Sequence, residues 1–223
     1  MNRVYLDYNA SAPLREEARE AMVHAMALAG NPSSVHAEGR QARAIVETAR
    51  QQVAAALGAQ GADVIFTSGA TEAAGLALTG RGIRCADIEH EAVSSWCQSD
   101  LSCGLDGGVA CQAPGATALQ LANSETGILQ QLPDGLALCD MTQAFGKLPV
   151  AFHWSGATMA LVSAHKIGGP KGVGALIVKR GTEVAAQIKG GGQEMGRRSG
   201  TENVIGIAGF GAAAEAAQRD LAD

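Results

Sequence analysis

The sequence predicts an α/β protein whose mostly parallel mixed sheet is covered by helices on both faces. Three observations carry that expectation. Short apolar runs recur along the chain, at 159–164 and 174–178 among others, and such runs bounded by Gly, Pro or polar residues read as buried strands. Between them lie stretches with apolar residues at helical spacing, such as Ala18, Met22, Ala25 and Met26. The composition suits a large core: of 223 residues 47% are hydrophobic and 17% charged, with a net charge of −5. That balance excludes a disordered chain and a basic nucleic-acid surface. No run approaches the ~18 consecutive apolar residues of a membrane helix, and the first residues lack the apolar segment of a signal peptide.

Taken in order, a helix over 16–28 follows Pro13. Gly30-Asn31-Pro32-Ser33-Ser34 breaks it, because Pro32 keeps Asn31 out of helical geometry. A longer helix runs over 36–57, and Gly58 is placed to end it as a left-handed cap. The β-rich run 63–67, the tight turn Ser68-Gly69-Ala70-Thr71 and a helix over 72–78 come next. A strand over 83–88 ends at Glu89-His90, whereas 94–116 has no clear period and receives no elements. Strands over 117–122, 136–140, 159–164 and 174–178 complete the sheet, and 201–219 reads as a closing helix. Its amphipathic look suggests docking on something outside the chain, as in one part of a larger unit. No internal repeat or linker stands out. The five cysteines (Cys85, Cys97, Cys103, Cys111 and Cys139) form no CxxC pair, and their odd number excludes a complete disulfide framework. Buried thiols in a reducing cytoplasm, and no metal site, are expected. The 29 glycines come in clusters, which mark places where backbone approaches backbone or a ligand.

In open α/β sheets, ligands bind beyond the carboxyl ends of the strands. Those ends carry Ser68 to Thr71, Glu89-His90, Asp140 followed by Gln143, and Ser163-Ala164-His165-Lys166. Each has a plain structural reading. Ser68, Thr71 and Asp140 suit helix caps, Lys166 suits a solvated strand end, and His90 suits a satisfied core imidazole. Each also has a chemical reading. A glycine turn before a helix holds phosphate on free N–H groups. A lysine behind an apolar strand is partly desolvated, which favours the neutral, nucleophilic amine. Ser163 and His165 can flank that amine with phosphate contacts. A buried Asp140 calls for a cation such as a protonated pyridine nitrogen. His90 can stack on a ring and relay protons. Together these features describe pyridoxal 5'-phosphate, with its phosphate, aldehyde, ring nitrogen and flat face. The glycine run over 168–174 matches neither the P-loop nor the dinucleotide spacing, so a nucleotide fold is rejected.

Several stretches in series extend this reading: Tyr5-Leu6-Asp7-Tyr8-Asn9-Ala10, Gly30-Asn31-Pro32-Ser33-Ser34-Val35-His36, Thr67-Ser68-Gly69-Ala70-Thr71-Glu72, Glu89-His90-Glu91-Ala92, Ser124-Glu125-Thr126-Gly127, the segment 163–172, and Gly190-Gly191-Gly192-Gln193-Glu194 through Arg197-Arg198-Ser199-Gly200-Thr201-Glu202-Asn203. On these the chain resembles the cysteine desulfurases of the class V aminotransferase family, of the NifS and IscS type. The resemblance implies a pyridoxal phosphate-dependent transferase of fold type I, aspartate-aminotransferase-like, with 1–223 as the large domain and 1–15 packed on it. It implies that a C-terminal small domain, with the sulfur-accepting cysteine loop and an arginine for the substrate carboxylate, is absent from this chain.

It also implies roles. Lys166 holds the cofactor and moves protons, and His90 stacks on the ring as an acid–base group. Asp140 pairs with the ring nitrogen, while Gln143 and Ser124 lie at its phenolic oxygen. Ala70, Thr71, Ser163 and His165 hold the phosphate, and Thr201 reaches the phosphate of the other subunit. The implied substrate is L-cysteine and the product L-alanine, with sulfur passed to an acceptor protein for iron–sulfur cluster or thiolation pathways. The implied assembly is a cytoplasmic homodimer with composite sites, binding neither nucleic acid nor membrane. Three departures stand out. Ser124 replaces a family Asn, Met195 replaces an Arg, and the span between Ser124 and Asp140 is short, as if a surface helix were lost. Two other readings stay open: another class V enzyme, such as a selenocysteine lyase or an aminotransferase, and a cofactor-binding or dimerisation module that does not turn over.

Overall fold

The two helical signals at the start form α1 (Glu16–Met26) and α2 (Ala37–Ala56) in a computed structural model that describes residues 3–221. His36 caps α2, its Nδ1 accepting the Gly39 N–H at 3.3 Å, and Gly58 ends the unit at φ +56°. β1 (Asp63–Thr67) then leads into α3 (Ala70–Leu78). This helix starts two residues earlier than the sequence predicts, because the Glu72 carboxylate accepts the Ser68 N–H at 2.8 Å and draws the turn back over itself. The chain continues as β2 (Arg84–Ala86), α4 (Glu91–Ser94), β3 (Gln98–Leu101), β4 (Ala118–Gln120), β5 (Leu138–Asp140), β6 (Met159–Ser163), β7 (Gly174–Val178) and α5 (Val204–Asp220).

The main sheet has the order β1-β7-β6-β5-β4. β4, β5 and β6 pair in parallel, while β7 is antiparallel to both β6 and β1. Within these five strands β7 alone is reversed, so the predicted parallel character holds with one exception. β2 and β3 form a parallel pair that meets the main sheet through a parallel bridge between Arg84 and Thr117. The carboxyl ends of β1, β4, β5 and β6 therefore share one edge.

Strand alternation divides the core in two. Phe66, Ala160, Val162 and Ile177 pack with Val53 of α2 and Phe210 of α5. Ile65, Leu161, Leu176 and Val178 pack with Ala73, Ala77 and Leu78 of α3 and Val93 of α4. Helices thus cover both faces. The closing helix corrects its sequence reading: α5 docks inside the chain, against α1 and α2. Its small residues allow the close approach, since a Cβ on Gly211 would stand 2.7 Å from the Ala49 Cα.

β3 lies where the sequence assigned nothing. Its Gln98, Ser99 and Asp100 are polar and exposed, so it shows none of the apolar signature of a buried strand. The segment 121–137 joins the parallel neighbours β4 and β5 without a helix, where such crossovers ordinarily carry one.

Candidate functional site

A cavity of about 460 Å³ opens at the shared edge of the sheet. Its walls include Ala70, Thr71, His90, Ser124, Asp140, Gln143, Ser163, His165 and Lys166. Thr201 lies elsewhere: it is exposed on the loop before α5 and lines no part of this cavity.

At one end stands the first turn of α3. Its N-cap, Gly69, contributes no side-chain cap, so the leading N–H groups of the helix remain available to a ligand. Ser68 and Thr71 therefore do not act as the helix caps that one reading of the sequence allowed. The turn abuts β7, where a Cβ on Gly174 would stand 2.7 Å from the Gly69 Cα and 2.6 Å from the Val162 carbonyl. Gly174 is thus required by close approach. Ser163, buried at the end of β6, and His165 complete this end, with Lys171 nearby. Burial lowers the His165 pKa, and the cationic Lys166, Lys171 and Lys147 lower it further. A cluster of cations that repel one another suits a multivalent anion.

Lys166 closes the short turn Ala164–Lys166 after β6. Burial lowers its pKa, while Asp140, Asp7 and Glu125 oppose the shift. Its Nζ donates to the Asn9 carbonyl, which also accepts the Gln143 Nε2 at 2.9 Å. The Asn9 Nδ2 donates to the Ser124 carbonyl at 3.0 Å. The segment before α1 is pinned further by the Ala12 N–H on the His165 carbonyl at 2.9 Å and the Arg15 N–H on the Gly168 carbonyl at 2.8 Å. Asn9 thus ties three predicted site residues together. Sequence reasoning gave it no role, although it stands within the stretch Tyr5 to Ala10 on which the resemblance rests.

Asp140 ends β5 and borders the same cavity. Its Oδ1 accepts the Thr142 N–H at 2.8 Å, so it caps the following turn as well as facing the site. Burial raises its pKa against the hydrogen bonds from Thr142 and the electrostatic pull of the neighbouring His90 and Lys166. A desolvated carboxylate in this state gains from a cation placed beside it. His90 caps α4, its Nδ1 accepting the Ala92 N–H at 3.0 Å. With Nδ1 occupied as an acceptor, the proton of the neutral ring sits on Nε2. Gln143 is held at both ends, because its Oε1 also accepts from Lys147 Nζ at 2.5 Å. The Ser124 hydroxyl donates to Glu125 Oε1 at 3.2 Å.

The loop that carries Thr201 is anchored to this region. Arg198 pairs with Glu72 of α3 at 2.8 Å. Glu194, buried, accepts from Arg50 at 2.7 Å and from the Phe66 N–H at 2.9 Å. Glu194 and Met195 both take left-handed backbone, at φ 48° and 59°. The Met195 side chain is exposed.

Known proteins resemble this chain in sequence and fold. The family model of class-V aminotransferases matches residues 4–105 and 113–221. A cysteine desulfurase of Frankia sp. (strain EuIK1) is 39% identical over 266 aligned positions, covering 99% of this chain and 64% of the relative. The chain thus spans less than two thirds of that relative's length. Because 266 positions exceed the 223 residues available, at least 43 positions of the relative have no counterpart here. A NifS-like protein from Rickettsia africae ESF-5 superimposes with a TM-score of 0.89 at 31% identity, over 99% of this chain and 70% of that one. The structure described as SspA in complex with cysteine gives a TM-score of 0.86 at 29% identity, over 96% of this chain and 72% of that one. With the fold and the family match in agreement over nearly its whole length, the chain belongs to the class-V aminotransferases.

Proposed function

We propose that this chain is the cofactor-binding part of a pyridoxal phosphate-dependent cysteine desulfurase, which passes the sulfur of L-cysteine to an acceptor thiol as a persulfide and releases L-alanine. The observation that carries the reading is the meeting of Lys166, Asp140, His90 and the α3 N-terminus in one cavity. The residues fit the cofactor. The cavity volume lies within the ~300–1,000 Å³ of small-molecule sites. Its cationic end suits a phosphate, and its desolvated Asp140 suits a protonated ring nitrogen. When bound, pyridoxal phosphate supplies an aldehyde for amines and a ring that withdraws electrons from the substrate's α-carbon.

The chain's own groups do the rest. Burial shifts Lys166 toward the neutral amine, the form that attacks an aldehyde and accepts a proton. The amine must leave the Asn9 carbonyl to do so. Gln143, which donates to the same carbonyl, would turn to the ring's phenolic oxygen. Ser124 is shorter than the family residue that it replaces, so Gln143 carries that contact. His90 offers a ring face and an Nε2 proton. Thr71, Ser163, His165 and the Ala70 N–H hold the phosphate. Thr201, exposed and braced by the Arg198–Glu72 pair, reaches the phosphate of a second copy in a homodimer. The names of the Frankia and SspA relatives support cysteine as the substrate. The sulfur is destined for iron–sulfur cluster assembly or thiolation, in the cytoplasm, where the five thiols remain free.

The test is to load the chain with pyridoxal phosphate and add amino acids one at a time. L-cysteine is expected to perturb the visible absorbance of the loaded chain. A loaded chain that responds to another amino acid and ignores L-cysteine contradicts the proposal.

A further inference from the structure

The link from β2 to α4 buries a carboxylic acid that the proposed chemistry does not use. A turn closed by the Glu89 N–H on the Ala86 carbonyl at 3.2 Å sets the position of Glu89. The end of β4 locks it there: Gln120 Nε2 and Asn123 Nδ2 both donate to the Ile88 carbonyl, at 3.0 and 3.1 Å. Glu89 is 6% exposed. Its Oε1 accepts the Gln120 N–H at 2.9 Å, and its Oε2 is buried without any donor among the described residues. Gln120 is also the register partner of Asp140 across β4 and β5, so the residue that Glu89 grips lies beside Asp140 in the sheet, and the Asp140 charge acts on Glu89. The other titratable groups around Glu89 are Cys85 on β2, Cys97 before β3, Cys139 on β5 and the adjacent His90.

An ionised Glu89 would meet one neutral donor, one bare oxygen and the negative charge of Asp140. A protonated Glu89 avoids both the desolvation and the repulsion. We propose that Glu89 is a positioning residue that keeps its proton while Asp140 loses its own, so that the pair carries a single negative charge on the carboxylate bordering the cofactor cavity. Burial raises the pKa of Glu89 to about 8 against the Gln120 hydrogen bond, with Asp140 and Cys85 adding to the rise. Its consequence for the ring nitrogen rests on the pyridoxal phosphate reading above; its protonation does not.

The experiment is carbon-13 NMR of the carboxyl carbons of the full chain labelled at Asp and Glu, titrated from pH 4 to 9.5 with and without pyridoxal phosphate. Glu89→Gln keeps the acceptor for Gln120 and identifies the resonance by its loss. Glu89→Asp keeps an acid there and serves as the second assignment should the first variant not fold. The expected result is one glutamate resonance that stays protonated through neutral pH and titrates near 8, with Asp140 titrating first. In Glu89→Gln the Asp140 titration loses any late component near pH 8. A Glu89 resonance that titrates in the ordinary carboxylate range overturns the proposal, and so does an Asp140 titration identical in both proteins. A chain that binds no pyridoxal phosphate yet shows the two coupled titrations keeps the pair and refutes the cofactor reading alone.

Discussion

Lys166 shows how a single residue is prepared by its surroundings. Three elements converge on its amine: the turn after β6, the Asn9 carbonyl and the Asp140 carboxylate. The first prediction concerns stability. A lysine whose pKa is lowered on folding binds fewer protons in the folded chain than in the unfolded one, so its contribution to stability rises with pH between the folded and unfolded values. Lys166→Met removes that penalty. Its thermal midpoint without cofactor is expected above wild type at pH 7, with the gap closing toward pH 10; equal midpoints at pH 7 contradict the assigned burial. Glu89 has the opposite sign. Its raised pKa lets the folded state hold the extra proton, so this contribution is largest at low pH and is lost as pH rises from the ordinary glutamate value toward 8. Thermal unfolding of Glu89→Gln should lack that decline. Lys166, Asp140 and His90 were legible in the sequence because each ends an apolar run or opens a turn. The roles of Asn9 and Glu89 were not, although both stand in stretches that carry the resemblance, since each acts through contacts with residues distant in sequence.

The elements place the site, and two of them do so by steric necessity. Gly174 lets β7 pass against the turn that opens α3. Gly174→Val forces a side chain into the Gly69 and Val162 backbones, and overpacking of that kind costs about 1–3 kcal/mol. Phosphate-end binding should fall with it, so weaker pyridoxal phosphate affinity and a lower denaturation midpoint are expected together; unchanged affinity in a folded variant contradicts the close approach. The loop before α5 depends on the Arg50–Glu194 pair. Arg50→Leu strands the buried Glu194 carboxylate, a loss of about 3 kcal/mol or more when the partner stays charged, measurable by urea unfolding. A change below ~0.5 kcal/mol would place the pair among the weak surface bridges. The sequence revealed β1, β5, β6 and β7 because their residues are buried on both faces. It concealed β3, whose exposed polar edge lacks that pattern, and α4, which is too short to show a helical period.

At the scale of the whole molecule, parallel strands put chemistry from four chain segments on one edge, and helices on both faces keep the sheet dry. The closing helix belongs to that packing rather than to an outside partner, because glycines and alanines let it sit against α1 and α2. Its sequence looked amphipathic, but burial extends around most of the helix. Exposed apolar side chains cluster instead in the segment before α1, at Val4, Tyr5, Leu6 and Tyr8. An apolar strip of that kind favours self-association. Light scattering should show concentration-dependent association that Leu6→Ser with Val4→Ser reduces; a strictly monomeric wild type contradicts this.

The central claim is that one amine, Lys166, captures the cofactor. Borohydride reduction of the chain loaded with pyridoxal phosphate, followed by peptide mass spectrometry, tests it directly. A stoichiometric phosphopyridoxyl adduct on Lys166, absent from the folded Lys166→Ala variant, is the predicted result. An adduct on Lys147 or Lys171 in its place, or no adduct on a folded and saturated chain, contradicts it.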